Sequence, residues 1–248
     1  MIRGWVYALI PVVLCVGSGA AQTEGPSLPA ASSDESGIKV QHVSFATEDG
    51  GLIAADVYGQ GDLGVVLAHG GRFTKESWQP QAQRLARAGY HVLAFDFRGF
   101  GQSHGPGDAD MFTAPMHLDV LAAVRYLRKH GAKTVGVVGG SFGGSAAADA
   151  SIAAKSGEIN ALVLLAAEGN GPAERIQAPL LIIVARDDAN DDGPRLPRIR
   201  AWFDKAPQPK ELLVLDGSAH AQFLFQTDQA DRVMREILRF FSATNPRQ

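Results

Sequence analysis

Six short runs of almost unbroken apolar residues limit the fold of this chain more than any other feature. They lie at 65–68 (VVLA), 92–95 (VLAF), 134–138 (TVGVV), 161–166 (ALVLLA), 180–184 (LLIIV) and 211–215 (ELLVL). A strand with one wet face alternates apolar and polar residues, so strands that do not alternate are buried on both faces, as in a parallel sheet covered by helices. The stretches between them carry helical periodicity. Within 116–130, Val120, Leu121, Val124 and Leu127 recur at three- and four-residue spacing, Pro115 opens the segment, and Arg125, Arg128 and Lys129 fill the last turn before Gly131. Further helices are expected over 78–88, 143–155, 195–205 and 228–242. Ahead of all these, 40–46 and 52–58 alternate and are joined by Asp49-Gly50-Gly51, a hairpin signal. The pattern predicts an α/β fold: a mostly parallel sheet of eight strands with an antiparallel beginning, flanked by helices. In such sheets, chemistry collects beyond the carboxyl ends of the strands.

The ends of the chain read differently. Residues 1–21 have one charge, Arg3, then an apolar stretch from Trp5 to Val16 and the small residues Gly17 to Ala21, the pattern of an export signal. The apolar stretch contains Pro11 and is shorter than the ~20 residues that span a bilayer, so cleavage and export are expected rather than stable membrane insertion. A lipoprotein signal would need a small residue before Cys15, where the chain has Leu14. Residues 22–37 (QTEGPSLPAASSDESG) have the composition of a disordered linker. The expected organisation is a signal peptide over 1–21, a linker over 22–37 and one folded domain over 38–244.

Composition narrows the function. With 23 basic and 26 acidic residues scattered along the chain, no basic face is expected and nucleic acid is not a partner. A single cysteine, Cys15, excludes an intrachain disulfide and a multi-thiolate zinc site. No cofactor is expected.

Two segments match G-x-S-x-G, at 139–143 (GGSFG) and 101–105 (GQSHG). A nucleophilic serine needs a strand that turns sharply into a helix, with glycines where side chains would collide. Ser141 follows TVGVV and leads into the small-residue stretch FGGSAAADASIAA, whereas Ser103 precedes Gly105-Pro106-Gly107, which cannot start a regular helix. Ser141 is the expected nucleophile and Ser103 a turn residue. A serine hydroxyl also needs a base, oriented in turn by an acid. Of the seven histidines, His220 follows the last strand in a loop of small residues (DGSAHAQF) and is the expected base; His42, His69, His91, His117 and His130 read as packed or solvated. The acid is expected in the loop after LLIIV, at Asp188, with Asp187 and Glu168 as alternatives. The same loop holds half of a calcium-loop pattern (Asp188, Asn190, Asp192, Gly193), but its twelfth position is Ile199 instead of glutamate, so no metal is expected. Acyl transfer builds charge on a carbonyl oxygen that two backbone N–H groups usually stabilise. Phe142 and Gly71 are the expected donors, the latter from the His69-Gly70-Gly71 turn, with Arg72 as the alternative to Gly71.

HGG at 69–71, Asp96-Phe-Arg98-Gly99-Phe-Gly101-Gln-Ser103, the GGSFGG elbow, the aspartate loop and the late His220 together resemble the α/β-hydrolase family over about residues 40–243, with the order Ser, Asp, His. The resemblance is closest to small esterases and dienelactone-hydrolase-like members, with serine in place of cysteine. It implies a Ser141–His220–Asp188 triad, an oxyanion hole at Gly71 and Phe142, and an architectural role for the segment around Ser103. Residues 167–179 are too few for the helical lid of larger members, which implies an open cleft and a small-molecule ester of short or medium acyl length. Phe73, Trp78, Phe112, Phe223 and Phe225 are candidate pocket aromatics, and Arg72 a candidate contact for a substrate carboxylate. An aminopeptidase or amidase would share the triad, and a binding module that kept only the fold is the third reading.

Overall fold

The computed structural model describes residues 31–33 and 37–244; the expected signal peptide and most of the linker lie outside them. In chain order the elements are β1 (Ala31–Ser33), β2 (Lys39–Ala46), β3 (Leu52–Tyr58), β4 (Leu63–Ala68), α1 (Gln79–Arg87), β5 (His91–Phe95), α2 (Met116–Lys129), β6 (Thr134–Gly140) and α3 (Phe142–Ala153). Then follow β7 (Ala161–Leu165), β8 (Leu180–Ala185), β9 (Ala189–Asn190), β10 (Gly193–Pro194), α4 (Arg195–Lys205), β11 (Lys210–Leu215) and α5 (Ala230–Thr244).

Nine strands form one sheet in the order β1-β2-β3-β5-β4-β6-β7-β8-β11. The six apolar runs become its six parallel strands, and the opening hairpin pairs antiparallel with β5 through β3. The ninth strand is β1, three residues inside the stretch read as linker, which pair with Lys39, Val40 and Gln41 of β2. Strands β5, β7 and β8 are buried at every position, each apolar side chain contributing about 1.5–3 kcal/mol. β11 is only partly buried, because it lies at the sheet edge with β8 as its one neighbour. Helix α3 buries Gly143, Gly144, Ala146, Ala147, Ala148 and Ala150, small side chains that bring it close to the sheet. Helix α5 buries Val233, Met234, Ile237, Phe240 and Phe241, one face at helical spacing. Among the described residues no helix is long and apolar enough to cross a membrane.

Strand order places the site. From β4 the chain moves to one side for β5 and to the other for β6, so a crevice opens beyond the carboxyl ends of β4 and β6. Ala68 and Gly139 are register partners there, which brings the loop leaving β4 beside the turn leaving β6. The segment from 167 to 179 contains only the short 3₁₀ turn Ala173–Arg175, so no helical lid covers the crevice from that side.

Candidate active site

The turn from β6 to α3 holds Ser141 at φ 51°, ψ −120°, a conformation that costs a non-glycine residue roughly 1–3 kcal/mol. The Ser141 N–H donates to Leu165 O at 2.9 Å, anchoring the turn on β7. Its glycines are sterically required: a Cβ at Gly139 would stand 2.4 Å from Gly143 O, and one at Gly143 would stand 2.4 Å from His69 O.

His220 reaches the serine from the loop after β11. Its Nε2 is 2.7 Å from Ser141 Oγ, and its Nδ1 is 2.7 Å from Asp188 Oδ2. A carboxylate on Nδ1 fixes the proton there, leaving Nε2 as acceptor for the serine O–H. Asp188, in the loop after β8, is buried, whereas Asp187 is exposed and uses its N–H on Gly217 O. Glu168 is engaged elsewhere, its Oε1 accepting from Arg198 Nε at 2.6 Å. The structure thus brings Asp188, and neither alternative, to the imidazole.

Gly71 and Phe142 lie side by side; a Cβ on Gly71 would be 3.7 Å from Phe142 Cβ. Among the described residues neither N–H has an acceptor, whereas the N–H of Gly70 is taken by Gln222 Oε1 at 2.6 Å. Phe142 is the first residue of α3, so its N–H is one of the donors a helix leaves open at its positive end.

A cavity of about 330 Å³ adjoins Ser141. Met111, Phe112, Met116 and Ala146 give it apolar walls; Asp149, Glu168, Asn170, Arg195 and Arg198 give it polar ones. Of the five aromatics expected there, Phe112 alone lines it. Trp78 is fully buried under α1, its ring 5.8 Å from Phe225, and Phe73 pairs with Phe223 at 5.2 Å. Arg72 is exposed and does not line the cavity. Apart from Glu168, the charged residues at the polar end were not legible in the sequence, because only the meeting of α3 with α4 brings Asp149, Arg195 and Arg198 to one cavity. His117, read as solvated or packed, also lines the cavity. Gln222 is a further omission: its Nε2 donates to Ser77 Oγ at 2.6 Å, so one buried amide ties the histidine loop to the segments after β4. Its one sequence signal is a polar side chain within the apolar stretch after His220.

His69 does structural work. His69 is completely buried, Nδ1 donating to Gly70 O at 2.9 Å and Nε2 accepting from the Phe97 N–H at 3.2 Å, and burial pushes its pKa down to about 4. The calcium-like stretch folds as the β9–β10 hairpin, with the Asp188 carboxylate turned to His220.

Residues 65–203 match the family of the alpha/beta hydrolase fold, and the chain belongs to that family. The esterase Pf2001 of Pyrococcus furiosus superposes with a TM-score of 0.70 at 21% identity, over 86% of this chain and 99% of that one. The dienelactone hydrolase of Anabaena variabilis superposes with a TM-score of 0.66 at 19% identity, over 84% and 98%. In sequence, an epoxide hydrolase of Caballeronia sordidicola is 36% identical over 74 residues, 29% of this chain and 22% of that one. A candidate non-heme chloroperoxidase of Synechocystis is 35% identical across a 118-residue alignment, 38% of this chain and 42% of that one. The chain therefore spans less than half the length of these curated relatives.

Proposed function

We propose that the protein is a serine hydrolase that cleaves carboxylic esters of small molecules. The observation that carries this reading is the continuous chain from Ser141 Oγ through His220 to the buried carboxylate of Asp188, with 2.7 Å at each link. His220 Nε2 takes the hydroxyl proton as Oγ bonds to the ester carbonyl carbon, and the oxygen's developing charge falls between the N–H groups of Gly71 and Phe142. The imidazolium then protonates the departing alcohol as the C–O bond breaks, leaving an acyl group on Ser141. Water, deprotonated by the same imidazole, attacks the acyl carbon and restores the serine. Asp188 orients the ring and balances its transient charge.

Serine chemistry also favours esters over epoxides. Attack of Oγ on an epoxide carbon would give an alkyl ether with no carbonyl for water to attack, and turnover would stop there. The absence of a helical lid between 167 and 179 supports substrates with short acyl chains. A fluorophosphonate probe is expected to label the wild-type protein and not Ser141→Ala. p-Nitrophenyl acetate and butyrate are expected to turn over faster than the palmitate; preference for palmitate overturns the acyl-length reading, and an unlabelled folded wild type overturns the enzyme. Export through residues 1–21 belongs to the same proposal, and a mature N-terminus near residue 22 in the protein recovered outside the cytoplasm is its test.

A further inference from the structure

We propose that Arg195 is a positioning residue for the triad acid, setting the charge balance of the Asp188–His220 pair; the inference rests on the serine-hydrolase reading above. Asp188 has a second oxygen that the triad does not use. Oδ2 takes the imidazole N–H, while Oδ1 is buried without a hydrogen bond among the described residues. Arg195 Nε, also buried without a hydrogen bond, lies 3.3 Å from that oxygen. The Asp188 carboxylate is buried and faces the buried Nε of a guanidinium that is otherwise partly open to the cavity; at this distance the cation compensates the carboxylate's charge, and removing it leaves that buried charge less balanced.

The chain builds this contact on purpose-shaped local structure. β9 and β10 form a two-residue-per-strand hairpin with Ala189 opposite Pro194 and Asn190 opposite Gly193, and the Arg195 N–H closes it on Asp188 O at 2.9 Å. Gly193, at φ 101°, permits the return. The excursion leaves Asp188 and comes back to it seven residues later carrying a cation.

The remaining charges around the cavity are otherwise occupied. Arg198 from α4 pairs with Glu168 after β7 at 2.6 Å. Asp149 from α3 accepts from Asn170 Nδ2 at 2.8 Å and the Gly171 N–H at 2.9 Å, and His117 from α2 lines the same space. With two cations and two carboxylates at its polar end, the cavity is not an anion trap, and Asp188 is the carboxylate within ion-pair reach of Arg195. A fixed cation beside the pair opposes formation of the imidazolium, whereas Asp188 alone favours it. Loss of the Arg195 cation is therefore expected to favour the imidazolium and disfavour the base.

The test is the pH dependence of Ser141 phosphonylation by a fluorophosphonate, which needs no knowledge of the natural ester. Arg195→Gln is expected to move the midpoint of the acid limb upward by about 0.5–1 pH unit and to slow labelling on its plateau about tenfold. Arg195→Lys, which keeps the charge, is expected to hold the limb near its wild-type position. An unmoved limb in Arg195→Gln, a downward shift, or an equal shift in the lysine variant overturns the proposal. Arg195→Met, which keeps an apolar stem, repeats the test should the glutamine variant unfold; loss of folding in both assigns Arg195 to the scaffold and overturns it as well. No labelling of the wild type defeats the serine-hydrolase reading itself, whereas normal wild-type labelling with an unmoved limb defeats only the role of Arg195.

Discussion

The same five-position pattern occurs twice, and the two copies have opposite fates. In 139–143 the serine is forced to φ 51° by a strand that must become a helix at once, and its hydroxyl faces His220. In 101–105 the serine is buried at 5% exposure, and its Oγ accepts the Ala54 N–H at 2.8 Å, filling a gap at the end of β3. The glycines differ as well. Gly139 and Gly143 are needed because backbone crowds them, whereas Gly101 sits at φ 52° in a turn, where a Cβ would collide with Asp96. Behind the second loop stands the fully buried Arg98, bonded to Asp119 Oδ1 at 2.6 Å and to Asp49 Oδ2 at 2.6 Å, and this guanidinium holds Asp49 at about 2. A serine becomes a candidate nucleophile through the strand-to-helix turn around it and the base above it; the letters G-x-S-x-G supply neither.

The largest expected effect is the one that separates the two loops most cleanly. Ser141→Ala should lower kcat by about 10⁵–10⁶-fold on any ester that the wild type cleaves, as removal of a triad nucleophile does elsewhere. Ser103→Ala should leave kcat within a few-fold. Equal losses in the two variants would dissolve the distinction. Next in size is the acid. Asp188→Asn keeps the shape but removes the charge that orients the imidazole, and should slow turnover by about 10⁴-fold. Asp187→Asn, at an exposed position one residue away, should change it by less than about threefold. Steady-state kinetics on p-nitrophenyl butyrate measures both, and a reversed order would move the acid to Asp187.

A third contrast lies between two histidines of one site. His220 is partly exposed and bonded to Ser141 and Asp188, whereas His69 is completely buried and stays neutral in the folded protein down to about pH 4, against an ordinary value near 6.5, because burial opposes its charge. The unfolded chain therefore binds a proton that the folded one refuses between those values. The stability this provides is complete above pH 6.5 and is lost as pH falls toward 4, up to about 3 kcal/mol. Asp49 and Glu76, both held down at about 2, add a second loss as pH falls from their ordinary values of 3.8 and 4.5 toward 2. Urea unfolding at pH 7 and pH 4.5, with the His69 imidazole followed by NMR, checks the sign; a His69 that protonates near pH 6.5 without loss of stability would contradict it.

What the sequence made legible follows the same division between local and assembled features. The parallel strands were readable because two-sided burial removes alternation from the residues themselves. The elbow was readable because sharp turns demand glycine. β1 was not readable, since Ala31, Ser32 and Ser33 carry no apolar period. The choice of Asp188 over Asp187 depended on which carboxylate the loop after β8 buries. Arg195 and Arg198 from α4, Asp149 from α3 and Gln222 from the loop after His220 come from three different segments and acquire their roles only when those segments meet. The aromatic lining was misjudged for a related reason: Trp78 and Phe225 satisfy each other beneath α1 instead of facing substrate.

The smallest effect belongs to the quieter serine and gives the finest test of the comparison. Ser103 accepts the Ala54 N–H with its side chain while its own carbonyl accepts the Gly99 N–H at 3.0 Å, so the loop is closed from both sides. Truncation to alanine removes only the side-chain link and leaves the Ala54 N–H, partly buried in β3, without its acceptor. The expected cost is about 1–2 kcal/mol of unfolding free energy, a lowered urea midpoint with an unchanged slope. Ser103→Thr keeps an oxygen at the same position and should recover part of that loss, provided the added methyl fits at 5% exposure. The hydroxyl at 103 serves the strand and, on the proposed function, the hydroxyl at 141 serves the substrate, so the first should be visible in the denaturation curve and absent from the kinetics, and the second the reverse. A Ser103→Ala protein with wild-type stability and impaired turnover would place both serines in one site and end the distinction between the two loops.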